Sequence, residues 1–277
     1  TLRFFALWLG LLSLIIHAPA HATGKELVVG VQPYEPTRSL IAQHEKLAAH
    51  LSQSLNRPVR LVTAKDASAF GRRILAGDYE LAIGAPHLVR LAQQDRGWHP
   101  LARYVPDTPV LLLARKEAKN GTAASLRGRT LATPGPGRLA SLVAEHWLAG
   151  QGLLAKRDFS VLETGSPGAT VHALVSGKAD MAVATLASMR QIRGAEVEQL
   201  RIVQEIATVP LLVFAARPDV QPDMRARLQN ALLAYQSPQG NQTAAVKEQD
   251  LAAMDPYLDQ TRRLLKHDTP SARQVAQ

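Results

Sequence analysis

The sequence predicts a two-lobed α/β fold in which each lobe is a mostly parallel sheet flanked by helices. Three observations predict it: strand-like apolar runs alternate with helix-like segments, one stretch recurs about 100 residues later, and two long apolar runs flank the central block. Strands separated by helices form mostly parallel sheets with both faces covered. At 277 residues and 46% hydrophobic composition, the chain can bury such cores.

The first half supplies three strands and two helices. The predicted strands are Leu27–Val31, Val59–Val62 and Leu81–Gly84, and the predicted helices are Thr37–Leu55 and Ala67–Ala76. The longer helix places Leu40, Leu47 and Leu51 on one face, which is typical of an amphipathic helix. Thr37 and Asp66 are the expected N-caps of the two helices.

The second half repeats this plan. Its predicted strands are 130–132, 159–162 and 181–184, and its predicted helices are 139–149 and 169–175. Residues 74–84 (ILAGDYELAIG) align without a gap with 174–184 (LVSGKADMAVA), and Arg90 and Arg190 continue the register. Each copy carries a helix end, a glycine, an acidic residue and a buried strand. Two copies indicate two lobes of the same hand, since a solenoid needs about three or more.

The apolar runs 108–113 and 208–214 predict two strands that cross between the lobes and act as a hinge. The predicted organisation is a signal peptide at 1–22, lobe 1 at 23–112, lobe 2 at 113–206, a return to lobe 1 at 207–267 and a flexible tail at 268–277. Helices at 222–236 and 257–266 complete the return part.

The N-terminus predicts export. Arg3 precedes an apolar stretch at 4–16, and Ala20-His21-Ala22 fits a signal-peptidase site, so the mature chain is expected to begin near Thr23. An uncleaved anchor is the alternative. The absence of cysteine excludes a lipid-modified cysteine, thiol catalysis and cysteine-ligated metals. We expect a freely soluble periplasmic protein.

The formal charge of +9 raises the question of nucleic acid. An exported protein whose basic residues are spread along the chain does not favour that partner, and we expect none. The milder consequence is a positive field that attracts small anions.

Several motifs together resemble those of one family. The motifs are strand-Pro33-Tyr34-x-Pro, Ala-Gly-Asp-Tyr-Glu-Leu at 76–81, Ala-Pro-His at 85–87, Leu-Arg-Gly-Arg-Thr-Leu-Ala at 126–132 and Gly-Ser at 165–166. Their order is similar to that in PhnD-like phosphate, phosphite and phosphonate substrate-binding proteins of ABC transporters. The resemblance covers about residues 25–265. It implies a type II periplasmic-binding-protein fold and a membrane permease as partner.

Ligand residues are expected at the carboxyl ends of the strands, where loops of open α/β sheets form the binding crevice. Helix starts there present free N–H groups that suit an anion without a metal. Where the family has Ser-Thr-Ser, this chain has Thr-Pro-Gly-Pro-Gly-Arg at 133–138, so the ligand identity stays open. The candidate ligand-binding residues are Tyr34, Thr37, Arg38, Ser68, His87, Gly135, Gly137, Arg138, Ser166 and Thr185.

The expected function is capture of a small anion, phosphonate-like, phosphate-like or carboxylate, by a monomer that closes about a hinge. A periplasmic subunit that presents its ligand to a sensor kinase or membrane receptor is the alternative. An enzyme is less favoured, because the sequence carries no GxSxG elbow, P-loop, GxGxxG or HExxH motif. No cofactor and no metal are expected.

Overall fold

A computed structural model describes residues 24–118, 121–192, 194–237 and 240–267. The predicted signal peptide and the predicted tail lie outside these residues. The first part of the chain forms β1 (Leu27–Val31), α1 (Thr37–Leu55), β2 (Val59–Val62), α2 (Ala67–Ala76), β3 (Leu81–Gly84), α3 (Pro86–Arg96) and β4 (His99–Val105). The middle part forms β5 (Thr108–Arg115), β6 (Thr130–Thr133), α4 (Leu139–Gly150), β7 (Ser160–Glu163), α5 (Pro167–Val175), β8 (Met181–Thr185), α6 (Leu186–Gln191) and β9 (Leu200–Val209). The last part forms β10 (Val213–Ala216), α7 (Pro222–Ala234), β11 (Gln242–Ala245), α8 (Glu248–Ala252) and α9 (Leu258–His267). Short 3₁₀ helices lie at Ala123–Leu126, Val197–Gln199 and Asp255–Tyr257.

The two-lobed α/β class is confirmed, and each lobe is built on one sheet. The first sheet has the strand order β11-β4-β10-β3-β1-β2, and the second has β7-β6-β8-β5-β9. The strands β1, β2 and β3 run parallel, as do β6, β7 and β8. The remaining pairings are antiparallel, so the sheets are mixed rather than mostly parallel. The strands β5, β9 and β10 adjoin the loops that join the lobes, where no crossover helix sets a parallel direction.

The chain passes between the sheets at residues 106–107 and at 210–212. The strand expected to cross at 108–113 lies wholly in the second sheet, where β5 pairs with β8 and β9. The run expected to cross at 208–214 is divided between β9 of the second sheet and β10 of the first. The first passage therefore precedes β5, and the second passage follows β9. Short loops, not continuous strands, join the lobes.

The internal repeat has a structural counterpart. Gly77 and Gly177 both have left-handed backbone, with φ values of 80° and 76°. The amide of Glu80 donates to Val28 O at 3.0 Å, and the amide of Asp180 donates to Thr130 O at 2.9 Å. The two copies thus enter β3 and β8 in the same way beside a parallel neighbour.

The capping residues follow only part of the expectation. The Asp66 carboxylate accepts from the Ala69 amide at 2.7 Å, as predicted for α2. The prediction for Thr37 is wrong, because the N-cap of α1 is Pro36 and no side chain caps that helix. Thr37 already has helical backbone as the first residue of α1, so its hydroxyl cannot serve the N-cap position.

Each lobe buries its own core, and one further cluster joins the two. In that cluster, Met254 and Tyr257 from the return part pack with Leu139, Ala140 and Val143 of α4. The Gln260 amide also donates to Glu145 of α4 at 2.7 Å. The residues before and within α9 therefore form a third tie between the lobes. Among the described helices, none is long and apolar enough to span a bilayer.

Candidate functional site

The carboxyl ends of the parallel strands of both lobes face each other. A single hydrogen bond establishes this: His87 Nε2, at the start of α3, donates to Gly137 O in the loop after β6 at 3.0 Å. The two residues are separated by 50 positions and belong to different lobes. Two of the loops predicted to line a crevice, 84–87 of one lobe and 133–138 of the other, therefore meet at Gly137.

The turn at 133–138 is shaped by its two glycines. Gly135 and Gly137 have φ values of +116° and +73°, which side-chain-bearing residues rarely adopt. The Ser141 hydroxyl donates to Gly135 O at 2.8 Å and fixes the turn on the first part of α4. A Cβ at Gly137 would stand 3.8 Å from Ser68 Oγ of α2. The structure thus brings Ser68, His87 and Gly137 together.

His87 is fully buried in this contact. Burial lowers its pKa from 6.5 to about 4, although the hydrogen bond to Gly137 acts in the opposite direction. Because Nε2 carries the proton given to the carbonyl, Nδ1 is the bare nitrogen, and it has no partner among the described residues. His87 is therefore a neutral imidazole that holds the lobes together and keeps one unsatisfied acceptor.

Arg138 follows the same turn and is the N-cap residue of α4 through its backbone. Its Nη2 donates to Gly165 O, in the loop after β7, at 3.3 Å. No carboxylate pairs with it among the described residues. Desolvation lowers the pKa of this guanidinium. A half-buried cation without a counter-charge is the main electrostatic feature of this edge.

Ser166 and Thr185 cap the helices that they precede. The Ser166 hydroxyl accepts from the Ala169 amide at 3.2 Å, and the Thr185 hydroxyl accepts from the Ser188 amide at 3.1 Å. Thr185 also donates to Ser188 Oγ at 3.0 Å. Their oxygens are committed to α5 and α6, so these residues hold helix starts in place at the rim of the site.

Tyr34, Thr37 and Arg38 form a separate group on lobe 1. Thr37 and Arg38 are exposed on the first turn of α1. Tyr34 donates to Gln43 Oε1 at 3.1 Å and packs edge-on against His44 at 6.1 Å. Desolvation raises the pKa of the Tyr34 phenol. No hydrogen bond or ion pair in the described part of the chain links this group to the 133–138 turn.

Sequence reasoning missed two residues that position the site. The buried Gln32 accepts from the Ala85 amide at 2.6 Å and ties the end of β1 to the start of α3. Thr108 accepts from the Ala187 amide at 3.0 Å and ties β5 to α6. A polar residue directly after the buried strand β1 was a usable signal for Gln32, since such a residue needs a partner when buried.

These elements together offer hydrogen-bond donors and a cation to an anion. The described residues contain no group of three or more His, Asp or Glu side chains that could hold a metal ion. The starts of α2, α3 and α4 converge at Gly137, and helix starts carry free N–H groups and partial positive charge. Backbone amides and one guanidinium are therefore the groups that this edge could offer to a negatively charged ligand.

A model of one protein family matches most of the chain. It is described as "ABC transporter, phosphonate, periplasmic substrate-binding protein", and the match covers residues 29–261. No curated protein sequence matches.

Solved structures give the same architecture. XAC2383 from Xanthomonas citri, bound to ATP, has a TM-score of 0.72 at 19% identity and covers 88% of this chain and 100% of its own. A binding component of an ABC phosphonate transporter from Pseudomonas aeruginosa has a TM-score of 0.73 at 15% identity, with 89% of both chains covered. PhnD1 from Prochlorococcus marinus, in complex with methylphosphonate, has a TM-score of 0.75 at 14% identity and covers 87% of this chain and 99% of its own. At sequence identities this low, the structural similarity establishes a shared fold.

Proposed function

This chain belongs to the periplasmic phosphonate-type substrate-binding proteins of ABC transporters, and we propose that it captures a small anion between its lobes at the 133–138 turn. Members of this family are solute-binding components rather than enzymes. The ligand would be a phosphonate, a phosphate-like oxyanion or a carboxylate. A membrane permease would receive it from the monomeric protein.

The observation that carries this proposal is the unpaired Arg138. Its guanidinium is desolvated enough for its pKa to fall, yet its hydrogen bond goes to the carbonyl of Gly165 and not to an acid. Removing a charge from water without a partner is costly, whereas a charge-assisted pair recovers that cost. A bound oxyanion would supply the partner.

The backbone around Arg138 supports the same ligand class. Gly135 and Gly137 let an oxyanion approach main-chain atoms without a Cβ in the way, and the start of α4 adds free amides. Micromolar affinity needs about 8 kcal/mol, and a hydrogen bond to a charged group contributes about 1.5–3 kcal/mol. Several donors must therefore act together, and closure of the lobes brings the starts of α2 and α3 to those of lobe 2.

The proposed ligand classes follow the chemistry of the site and the known relatives. Neighbouring structures hold methylphosphonate and ATP, both of which carry phosphorus oxyanions. A guanidinium binds a phosphonate, a phosphate or a carboxylate in the same forked geometry. The site residues that we propose as ligand contacts are Ser68, His87, Gly135, Gly137 and Arg138, with Ser166 and Thr185 at the rim.

Titration calorimetry tests the proposal with methylphosphonate, phosphate, sulfate and acetate. At least one anion should bind one to one, and Arg138→Ala should weaken it about tenfold to a hundredfold, since one charged hydrogen-bonding group is lost. Lys178→Ala is the matched control, because Lys178 is an exposed cation of the same lobe beside Gly177, at the opposite end of the strands. It should change the affinity less than twofold. Silence with all four anions together with binding of an uncharged solute would overturn the proposal.

A further inference from the structure

Gln32 is the first residue after β1, and its side chain lies at the carboxyl edge of the first sheet. Only 5% of the residue is exposed. Its Oε1 accepts from the Ala85 amide at the start of α3 at 2.6 Å, and a Cβ at Gly84 would stand 3.6 Å from the same oxygen. Ligands of open α/β sheets bind outside the carboxyl ends of the strands. Gln32 therefore occupies the edge of lobe 1 that faces a ligand in the cleft.

The hydrogen bond from Ala85 fixes the orientation of the Gln32 amide. An N–H group needs an acceptor, so Oε1 and not the NH₂ group faces Ala85. Nε2 lies about 2.3 Å from Oε1 by covalent geometry and is therefore also beside the start of α3. His87, two residues further along α3, contacts Gly137 of lobe 2. The NH₂ group of Gln32 thus lies near the contact between the lobes.

This NH₂ group has no partner, yet it remains accessible. Gln32 makes one side-chain hydrogen bond within the described part of the chain, and that bond is at Oε1. The unpartnered side-chain atoms that are completely buried among these residues are Arg72 Nη1, Tyr79 Oη and His87 Nδ1, and Gln32 Nε2 is not one of them. Two N–H donors of an otherwise buried side chain therefore face space that a small molecule can reach. Buried amides ordinarily use their donors within the protein, which sets this one apart.

A structural role alone does not explain an amide at position 32. Holding the Ala85 N–H requires only an acceptor, and a carboxylate at the positive end of α3 would be the stronger acceptor. A carboxylate would also repel an anion in the cleft. Gln32 satisfies the same N–H without negative charge and keeps two donors free. The bond that it accepts at Oε1 polarises the amide and strengthens these donors.

The start of α3 lacks donors that Gln32 can replace. The Ala85 N–H is taken by Gln32, and Pro86 has no N–H. The amides of Leu88 and Val89 both donate to Ala85 O, at 3.0 and 3.1 Å. Gln32 thus exchanges one backbone donor for two side-chain donors at this edge.

We propose that Gln32 is a ligand contact of the inter-lobe cleft and that its NH₂ group donates to an unprotonated oxygen of the bound anion. The inference rests on the proposed function and adds a contact from lobe 1 to that of Arg138 in lobe 2. Because the acceptor of Gln32 is committed to Ala85, the ligand atom that faces it must itself be an acceptor. The oxygens of an oxyanion meet this condition, whereas an ammonium group does not. The ligand is therefore oriented with its oxyanion end towards Gln32.

Gln32→Glu tests the inference, since it keeps an acceptor for Ala85 and replaces the two donors with a charged oxygen. Calorimetry at neutral pH uses whichever of methylphosphonate, phosphate, sulfate and acetate binds the wild type most tightly. The variant should bind that anion about a hundredfold more weakly, because a favourable contact becomes a repulsive one. Gln53→Glu is the matched control, since it adds the same charge at an exposed position of α1 in the same lobe. It should change the affinity less than twofold.

A nuclear magnetic resonance titration of the wild type gives a second readout that does not depend on how the variant folds. The side-chain NH₂ signals of Gln32 should shift when the same anion is added. Those of Gln229, whose Nε2 already donates to Leu101 O at 3.0 Å, should stay in place. Unshifted Gln32 signals at saturation would refute the inference.

The two proposals fail in different ways. If the wild type binds an anion, Arg138→Ala weakens that binding and Gln32→Glu leaves it within twofold, then Gln32 has only a structural role and the proposed function stands. If none of the four anions binds the wild type, this inference falls together with the anion site.

Discussion

His87 shows how one side chain couples protonation to a contact between the lobes. It is neutral because its surroundings exclude water, and its one hydrogen bond crosses from α3 to the loop after β6. A protonated imidazole would need a second acceptor at Nδ1, where the described residues provide none. Acid should therefore oppose this contact.

The pH dependence of stability should carry this signature. The pKa of His87 is about 4 when folded and 6.5 when free, so unfolding takes up a proton between these values. The free energy of unfolding should consequently fall by about 3 kcal/mol as the pH drops from 6.5 to 4, with no further contribution below. Urea titrations of the wild type and His87→Gln across that range measure it: the variant should lack this part of the slope.

A histidine on the surface gives the comparison for this experiment. His172 is exposed, and His172→Gln leaves the contact of His87 with Gly137 untouched, so this variant should keep the His87 part of the slope. Identical slopes in the wild type and in His87→Gln would refute the role assigned to His87.

Single residues were predictable where local sequence determines them. Ser166 and Thr185 precede helices, and the structure shows their oxygens at helix starts. Thr37 was assigned as a cap because it has the right chemistry, yet Pro36 occupies that position. The contact of His87 with Gly137 could not be read from the sequence, because it depends on how the lobes are placed relative to each other.

At the scale of elements, β1 depends on a glycine for its packing. A Cβ at Gly30 would stand 2.5 Å from the ring of Tyr79, which is fully buried and stacked on Phe70. The ring cannot move aside easily, because Arg73 covers it at 5.0 Å from the centroid. The absence of a side chain at Gly30 is thus a requirement of this core.

Gly30→Ala should lower the free energy of unfolding by about 1–3 kcal/mol, since overfilling a packed core forces strain on its neighbours. Gly168→Ala in α5 is the reference, because nothing stands within 4 Å of the added atom and the backbone is not left-handed. It should leave stability unchanged or raise it by up to about 1 kcal/mol. Chemical denaturation of both variants measures the difference. Equal stabilities would show that Tyr79 yields at little cost.

Elements were predictable in proportion to their periodicity. The apolar runs of β1 and β3 and the one-sided pattern of α1 were correctly placed within the chain. The strands β4 and β11 were not predicted. The charged residue Arg103, which pairs with Asp250 in the structure, interrupts the apolar pattern of β4. The strand β11 is the short polar segment Gln242–Ala245. Both strands exist because antiparallel neighbours hold them, which no local pattern records.

For the whole molecule, Arg90 anchors the third tie between the lobes. It is 8% exposed and binds Asp255 at 2.7 Å and Glu248 at 2.6 Å, which fixes the segment that carries Met254 and Tyr257 onto α3. That segment in turn packs on α4 of the other lobe. A charge network on lobe 1 thereby positions an apolar contact with lobe 2.

The internal repeat supplies a control for this role. Arg90→Ala should lower the free energy of unfolding by about 1–3 kcal/mol, because it removes the cation that two acids share, and solvent around those acids limits the loss. The register-equivalent Arg190 is exposed, and Arg190→Ala should change stability by less than about 0.5 kcal/mol. Thermal and urea unfolding of both variants measure these two changes in stability. A similar effect of the two would show that the Arg90 network does not anchor the segment.

The position of β10 has a consequence for the order in which the chain acquires its structure. In the first sheet β10 lies between β3 and β4, although it follows them by about 100 residues. While the polypeptide emerges from its N-terminus, that sheet has a gap at its centre until residue 216 is free to enter. All strands of the second sheet lie between Thr108 and Val209. The inserted lobe is thus the one that can finish first, and the lobe that begins the chain closes last.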